Sequence, residues 1–292
     1  MSLLEILGID DLCKLVESYA SEFKGLFCKV MPAIASSKPP QSIAALDGKI
    51  ALTVELQSLD VIDLKTATRR RQKFGANLRM VSVTDQRLAI FHMRNVSLLD
   101  MQAEECVWSK KVPTPYDVCD LKLLPNDSLA ILDGVGFLIW DLRQGNQTLD
   151  VGVAHLHDVA GLDAQTTVAA VGDFLHVYTD GQLACKQRAH NVMQLFDLPG
   201  RRFAAGSKDH KIMVWDANLT CLYTIDDAKF GCTLSDGSLA TTCADGHHIR
   251  VYKEGTVAHD IPYFGWPIVA LTALPQGRLA SFHMHGDVCI WH

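Results

Sequence analysis

An all-β fold, a seven-bladed β-propeller of four-stranded sheets set radially in a ring, follows from three periodicities that hold one phase through the 292 residues. The first is a hydrophobic residue followed by alanine: Ile50-Ala51, Leu88-Ala89, Leu129-Ala130, Val168-Ala169, Phe203-Ala204, Leu239-Ala240 and Leu279-Ala280. These alanines are spaced by 38, 41, 39, 35, 36 and 40 residues. The second is a large residue closing an alternating run beyond each alanine, at Ile62, Leu99, Trp140, Tyr178, Trp215, Tyr252 and Trp291. The third is a turn just before the alanine, as in "LDGKIA", "PNDSLA", "LPGRRFA" and "SDGSLA". Asp, Asn, Gly and Pro there supply the positive or preset φ that a tight hairpin needs.

Each unit divides into four strands. In "NVMQLFDLPGRRFAAGSKDHKIMVWDANLTCLYTI" short runs of period-two alternation are separated by polar turns. Val192, Gln194 and Phe196 fall on one face and Met193, Leu195 and Asp197 on the other, so both faces carry apolar residues. A single small sheet cannot bury two apolar faces, whereas a sheet sandwiched between two like neighbours can.

In chain order, residues 1–23 are expected to form an N-terminal helical cap and residues 24–292 the propeller. Leu12, Leu15, Val16, Tyr19 and Phe23 lie at helical spacing behind Asp10 or Asp11 as a cap, which predicts an amphipathic helix packed on the rim. The seventh unit, "VALTALPQGRLASFHMHGDVCIWH", holds only three strands. The alternating segment "KGLFCKVMPA", Lys24 to Ala33, is expected to supply the missing outer strand, so that an N-terminal strand completes the last blade and closes the ring.

Composition narrows the function classes. A hydrophobic fraction of 48% fits a protein with a substantial core, and a net charge of −6 with pI near 6.0 argues against a nucleic-acid partner. The opening "MSLLEILGIDDL" lacks a basic leader region, and no apolar run approaches spanning length, so no membrane association is expected. The nine cysteines form no CxxC pair. They read as reduced thiols of a cytoplasmic or nuclear protein, not a secreted one.

No residue set points to catalysis, a cofactor or a metal. Asp245-Gly246-His247-His248 is a turn between strands, equivalent to Lys208-Asp209-His210-Lys211, and its histidines read as solvated turn residues. Along the innermost strands only Asp117 and Asp158 are expected to be acidic, too few for an acid/base pair or a metal cage. Arg69 to Arg71 fall in the outermost strand of the first blade and read as a solvated, protective edge. Phe91-His92-Met93 and Phe282-His283-Met284 occupy equivalent places and reflect repeat ancestry.

"LPGRRFAAGSKDHKIMVWD" and "LPNDSLAILDGVGFLIWD" resemble repeats of the WD-repeat family, a resemblance that spans roughly residues 24 to 292. It implies a polar pin in the fifth blade formed by His190, Asp209 and Trp215, with Ala189 in place of the family's glycine. It also implies a partner-binding face where the loops enter the innermost strands. Those loops carry Tyr116, His157, Phe230, Phe264 and Trp266. Loop aromatics beside Gly and Pro make good anchors, although Phe264 and Trp266 have the alternative of packing between blades.

The expected function is that of a non-enzymatic scaffold or adaptor, a monomer or a subunit of a hetero-complex, that binds a protein or peptide. One alternative is a ubiquitin-ligase substrate receptor, because "DLCKLVESY" resembles the opening of an F-box. A propeller enzyme is the third reading.

Overall fold

The structure, a computed structural model, describes residues 28–31, 43–46, 48–54, 57–66, 68–74, 78–84, 86–114, 116–125, 127–263, 265–284 and 288–291. The helix expected over residues 10–23 lies outside the described residues, as does Phe264. The described strands form seven four-stranded antiparallel sheets, six in simple meander order and the seventh completed by the first described strand. Blade 5 is representative: Val192–Leu198, Arg202–Ser207, Lys211–Asp216 and Cys221–Asp226, from the axis outward. The innermost strands of the other blades begin at Ile43, Arg79, Asp120, Leu156, Gly231 and Ile268. Each packs on the next, and the strand at Ile268 packs on that at Ile43, so the inner strands make a complete circle. Cys28–Met31 is the fourth strand of blade 7 and pairs antiparallel with Val288–Trp291, Cys28 opposite Trp291.

Every interface between neighbouring blades has its own core, which is the physical reason for apolar residues on both sheet faces. Leu195, Phe203 and Trp215 of blade 5 pack against Val168, Leu175 and Val177 of blade 4. On the opposite face Phe196, Ile212 and Val214 pack against Leu239 and Tyr252 of blade 6. The seven repeat alanines all sit at 0% exposure, because the next sheet passes so close to each second strand that only a methyl group fits. The large closing residues are buried beside them, except for half-buried Leu99. Inner hairpins turn where the sequence places Gly and Asp; Gly200 and Asp127, for instance, have φ of +77° and +55°.

Blades 2 to 6 share one irregularity. Each outermost strand carries one extra residue next to the large closing residue: Val107, Thr148, Ala184, Leu222 and Ala258. Such bulges twist an exposed edge away from further pairing. The outermost strand of blade 1, Arg69–Lys73, instead keeps an unbroken register with Ser58–Asp63. Its arginines are all exposed, as expected of a solvated edge, but two of them also hold a buried carboxylate. Arg69 and Arg71 both bind the carboxylate of Asp60, whose side chain is fully buried, Arg71 through Nε at 2.7 Å and Nη2 at 3.0 Å. Alternation on the strand aims both guanidiniums at the same spot. Arg70, on the other face, reaches Glu104 of blade 2.

Candidate interaction face

A four-stranded meander puts the connections between blades and the turns between second and third strands at one end of the ring, and the other turns at the opposite end. Exposed large apolar side chains divide unequally between these ends. Met93, Tyr116, Val135 and Phe174 sit at the first end, with Met193, Trp266 and Met284. The remainder, Val107, Leu183, Leu222 and Val257, lie within the first three residues of outermost strands, on the outer rim toward the opposite end. None falls in the described turns at the opposite end.

Tyr116 is 52% exposed on a loop that is nonetheless tied down. Thr114 Oγ1 donates to Asp133 Oδ2 at 2.6 Å and accepts from the Tyr116 amide at 3.1 Å, while Asp133 Oδ1 accepts from the Val135 amide. Two adjacent loops therefore share one carboxylate. Trp266 is 44% exposed, which decides against its packing between blades, and its carbonyl is held from below. His283 Nδ1 donates to that carbonyl at 2.9 Å; Ser281 Oγ donates to His283 Nε2 and accepts from Trp291 Nε1, both at 2.9 Å. This relay gives every donor an acceptor, and fixes the tautomer of a histidine with 0% exposure. His283 is thus more than a trace of repeat ancestry. Its counterpart His92 is half-buried and meets Phe74 edge-on at 5.4 Å.

The other expected anchors are distributed differently. Phe230 is half-buried beneath the Lys229 ammonium, 5.0 Å from its ring centre, and its amide donates to Thr242 Oγ1. His157 is the extra residue of a bulge in the innermost strand of blade 4, which turns it outward, as Met193 is in blade 5. No alternation rule foretells such bulges.

The pin expected in blade 5 is rearranged. His190 Nδ1 lies 3.6 Å from Asp173 of blade 4, whereas Asp209 accepts from Asn191 Nδ2 at 3.2 Å. Trp215 Nε1 is buried with no partner among the described residues. Asn191 has φ of +60°, and the chain turns there so that the residue after the histidine faces the Asp209 turn.

The inner wall of blades 3 to 5 is more charged than the sequence reading allowed. Asp120 opens the innermost strand of blade 3, and Asp197 lies near the end of that in blade 5, beyond the stretch expected to line the axis. Lys122 Nζ donates to Asp158 Oδ2 at 3.0 Å, and the same oxygen accepts the Leu195 amide at 2.8 Å. Asp197 Oδ1 accepts the Gly161 amide at 3.0 Å, and its carbonyl accepts from Thr233 Oγ1 at 2.7 Å. These bonds join blades 3, 4, 5 and 6 in sequence. Burial pushes the Asp197 carboxyl up to about 6, against the opposing help of Gly161 and Lys122. Burial likewise raises Asp120. For Lys122 burial disfavours the charge, but Asp158, Asp120 and Asp197 outweigh it and raise its pKa. Both oxygens of Asp158 are committed to hydrogen bonds, so the group serves as a brace between blades. Among the described residues no group of three or more His, Cys, Asp and Glu is placed to hold a metal ion.

The fold so built is that of the WD40 β-propellers. No family model and no curated protein matches the sequence. Among solved structures the chain is similar to the WD40 β-propeller domain of Doa1, with a TM-score of 0.74 and 12% identity over 91% of this chain and 97% of that one. It is also similar to the β-propeller domain of Cps50 (Swd1) from Myceliophteria thermophila, with a TM-score of 0.71 and 12% identity over 91% and 99%. A chain of a mitotic checkpoint complex aligns with a TM-score of 0.72 and 14% identity over 90% of each.

Proposed function

We propose that this protein is a non-catalytic adaptor whose loop face captures a protein or peptide partner. The exposed apolar side chains in the turns and connections of one end of the ring, Met93, Tyr116, Val135, Trp266 and Met284, with none in the described turns of the other, carry this reading. Water-exposed Trp, Tyr and Met on tethered loops offer contact area while little freedom remains to be lost on binding. Similarity to a propeller found in a checkpoint complex supports a role in assemblies. The register of Cys28–Met31 against Val288–Trp291 supports a ring whose seam is closed by the N-terminal strand, which gives the loops a rigid base. Exposed thiols at Cys106, Cys119 and Cys221 suit a reducing compartment, cytoplasmic or nuclear.

The test compares capture by the wild-type chain, by a Met93→Ser, Tyr116→Ser, Trp266→Ser variant, and by a Val107→Ser, Leu222→Ser variant altered on outermost strands. Proteins retained by the first and third are expected to fall by about tenfold or more with the loop-face variant, at unchanged thermal midpoint. An identical set captured by all three would overturn the proposal.

A further inference from the structure

We propose that the outermost strand of blade 1, Arg69–Lys73, is a second docking site, at which an acidic, extended segment of a partner protein adds to the sheet as a fifth strand. This edge is separate from the loop face and does not rest on that reading. Two observations converge on it. The first is geometric. Blades 2 to 6 each carry a bulge in the outermost strand, whereas Arg69–Lys73 pairs with its neighbour residue for residue. The Phe74 amide donates to the Gln57 carbonyl and the Asp63 amide to the Thr68 carbonyl. Antiparallel pairs alternate, so Gln72 and Arg70 turn their backbone groups inward and Arg69, Arg71 and Lys73 turn theirs outward. A straight row of outward N–H and C=O groups is the template that an added strand requires.

The second observation is electrostatic. On a chain with a net charge of −6, this strand reads Arg-Arg-Arg-Gln-Lys, and every residue of it is exposed. Arg69 and Arg71 share one buried carboxylate, so the trio keeps a net positive charge, and their side chains are held in place before any partner arrives. Lys110 and Lys111 add charge on the neighbouring blade, at the same end as Lys73. Lysine and arginine on an edge repel most strands, and a second copy of this one above all, but they attract an acidic one. The outward row of backbone N–H and C=O groups favours a polypeptide over a nucleic acid as the occupant, since only a peptide backbone can continue the ladder.

Fluorescence anisotropy of the full chain with a labelled decapeptide of alternating glutamate and threonine tests the proposal. Binding is expected to weaken about tenfold or more when alternate peptide nitrogens of the probe are methylated, since charge is unchanged and only backbone pairing is lost. A comparable loss is expected with the Arg70→Glu, Lys73→Glu variant, and none with Lys186→Glu, Arg188→Glu on the bulged edge of blade 4. Arg70 and Lys73 are exposed and neither touches Asp60, so the variant should fold; its melting curve checks this. The proposal fails if the probe does not bind, if the methylated probe binds equally well, or if a single-stranded oligothymidylate competes as effectively as the peptide. Binding that survives the blade 1 charge reversal, or concentration-dependent dimerisation through this edge, would also overturn it.

Discussion

Ser281 and Thr241 occupy the same place in adjacent blades, yet their replacement should have opposite effects on stability. Each lies on the second strand, two residues beyond the partner of the large closing residue: Leu279 opposite Trp291 in blade 7, and Leu239 opposite Tyr252 in blade 6. In blade 7 the indole N–H donates diagonally to Ser281, whose own hydroxyl donates to His283 Nε2. In blade 6 a tyrosine stands where the indole would be, and Thr241 Oγ1 is buried with no partner among the described residues. Ser281→Ala orphans two buried groups, the Trp291 N–H and His283 Nε2, at about 1–3 kcal/mol each, so a loss of about 2–6 kcal/mol is expected. Thr241→Val keeps the shape and removes an unsatisfied hydroxyl, which should stabilise by about 1 kcal/mol. At about 2 °C per kcal/mol for a chain of this size, the midpoints should move down by about 4–12 °C and up by about 2 °C. Denaturant unfolding followed by circular dichroism is the assay, with slope and midpoint both compared because a ring of repeats can depart from two-state behaviour. A destabilised Thr241→Val, or a Ser281→Ala within about 0.5 kcal/mol of wild type, would refute the reasoning.

Further outcomes follow from the same structure. Trp215 Nε1 lacks a partner, and Ala205 stands where blade 7 has Ser281, so Ala205→Ser should stabilise by about 1 kcal/mol by denaturant titration. Asp197 has a folded pKa of about 6 against 3.8, so the native state holds its proton more tightly than the unfolded chain does; the stability this contributes at low pH is lost as pH rises from about 4 to about 6. Asp197→Asn should therefore stabilise by about 1–3 kcal/mol at pH 7.5 and by almost nothing at pH 4, and a pH-independent difference would contradict this. Asp60→Asn leaves two guanidiniums around an uncharged amide in a buried site and should cost about 2–4 kcal/mol, read as a lowered midpoint in thermal melts.

The ring was legible in the chain because its determinants are local. Ala204 and Trp215 recur in phase because each second strand meets its neighbour at methyl distance and each third strand ends on a buried large residue. Tyr116 was recognisable as an exposed loop aromatic for similar reasons, since turn chemistry and apolar character can be read within a few residues, whereas for Trp266 the sequence left packing between blades open. The pin around His190 was misjudged because a positive φ at Asn191 shifts which side chain faces Asp209 by one residue. Asp197 escapes the sequence because strand length, not composition, decides what lines the axis, whereas Asp120 stands within its strand's own segment and was readable there.

By itself, then, the sequence determined the number of sheets, their phase, the turns and the doubly apolar strands, all encoded at separations of two to about a dozen residues. Only the tertiary structure decided which polar groups are satisfied, where Lys122 meets Asp158, which bulges turn His157 and Met193 outward, and that one basic edge stays straight. The reason is one of distance along the chain. Contacts between blades join residues about one repeat apart, and a one-residue slip in loop or bulge, invisible to alternation, reassigns each of them.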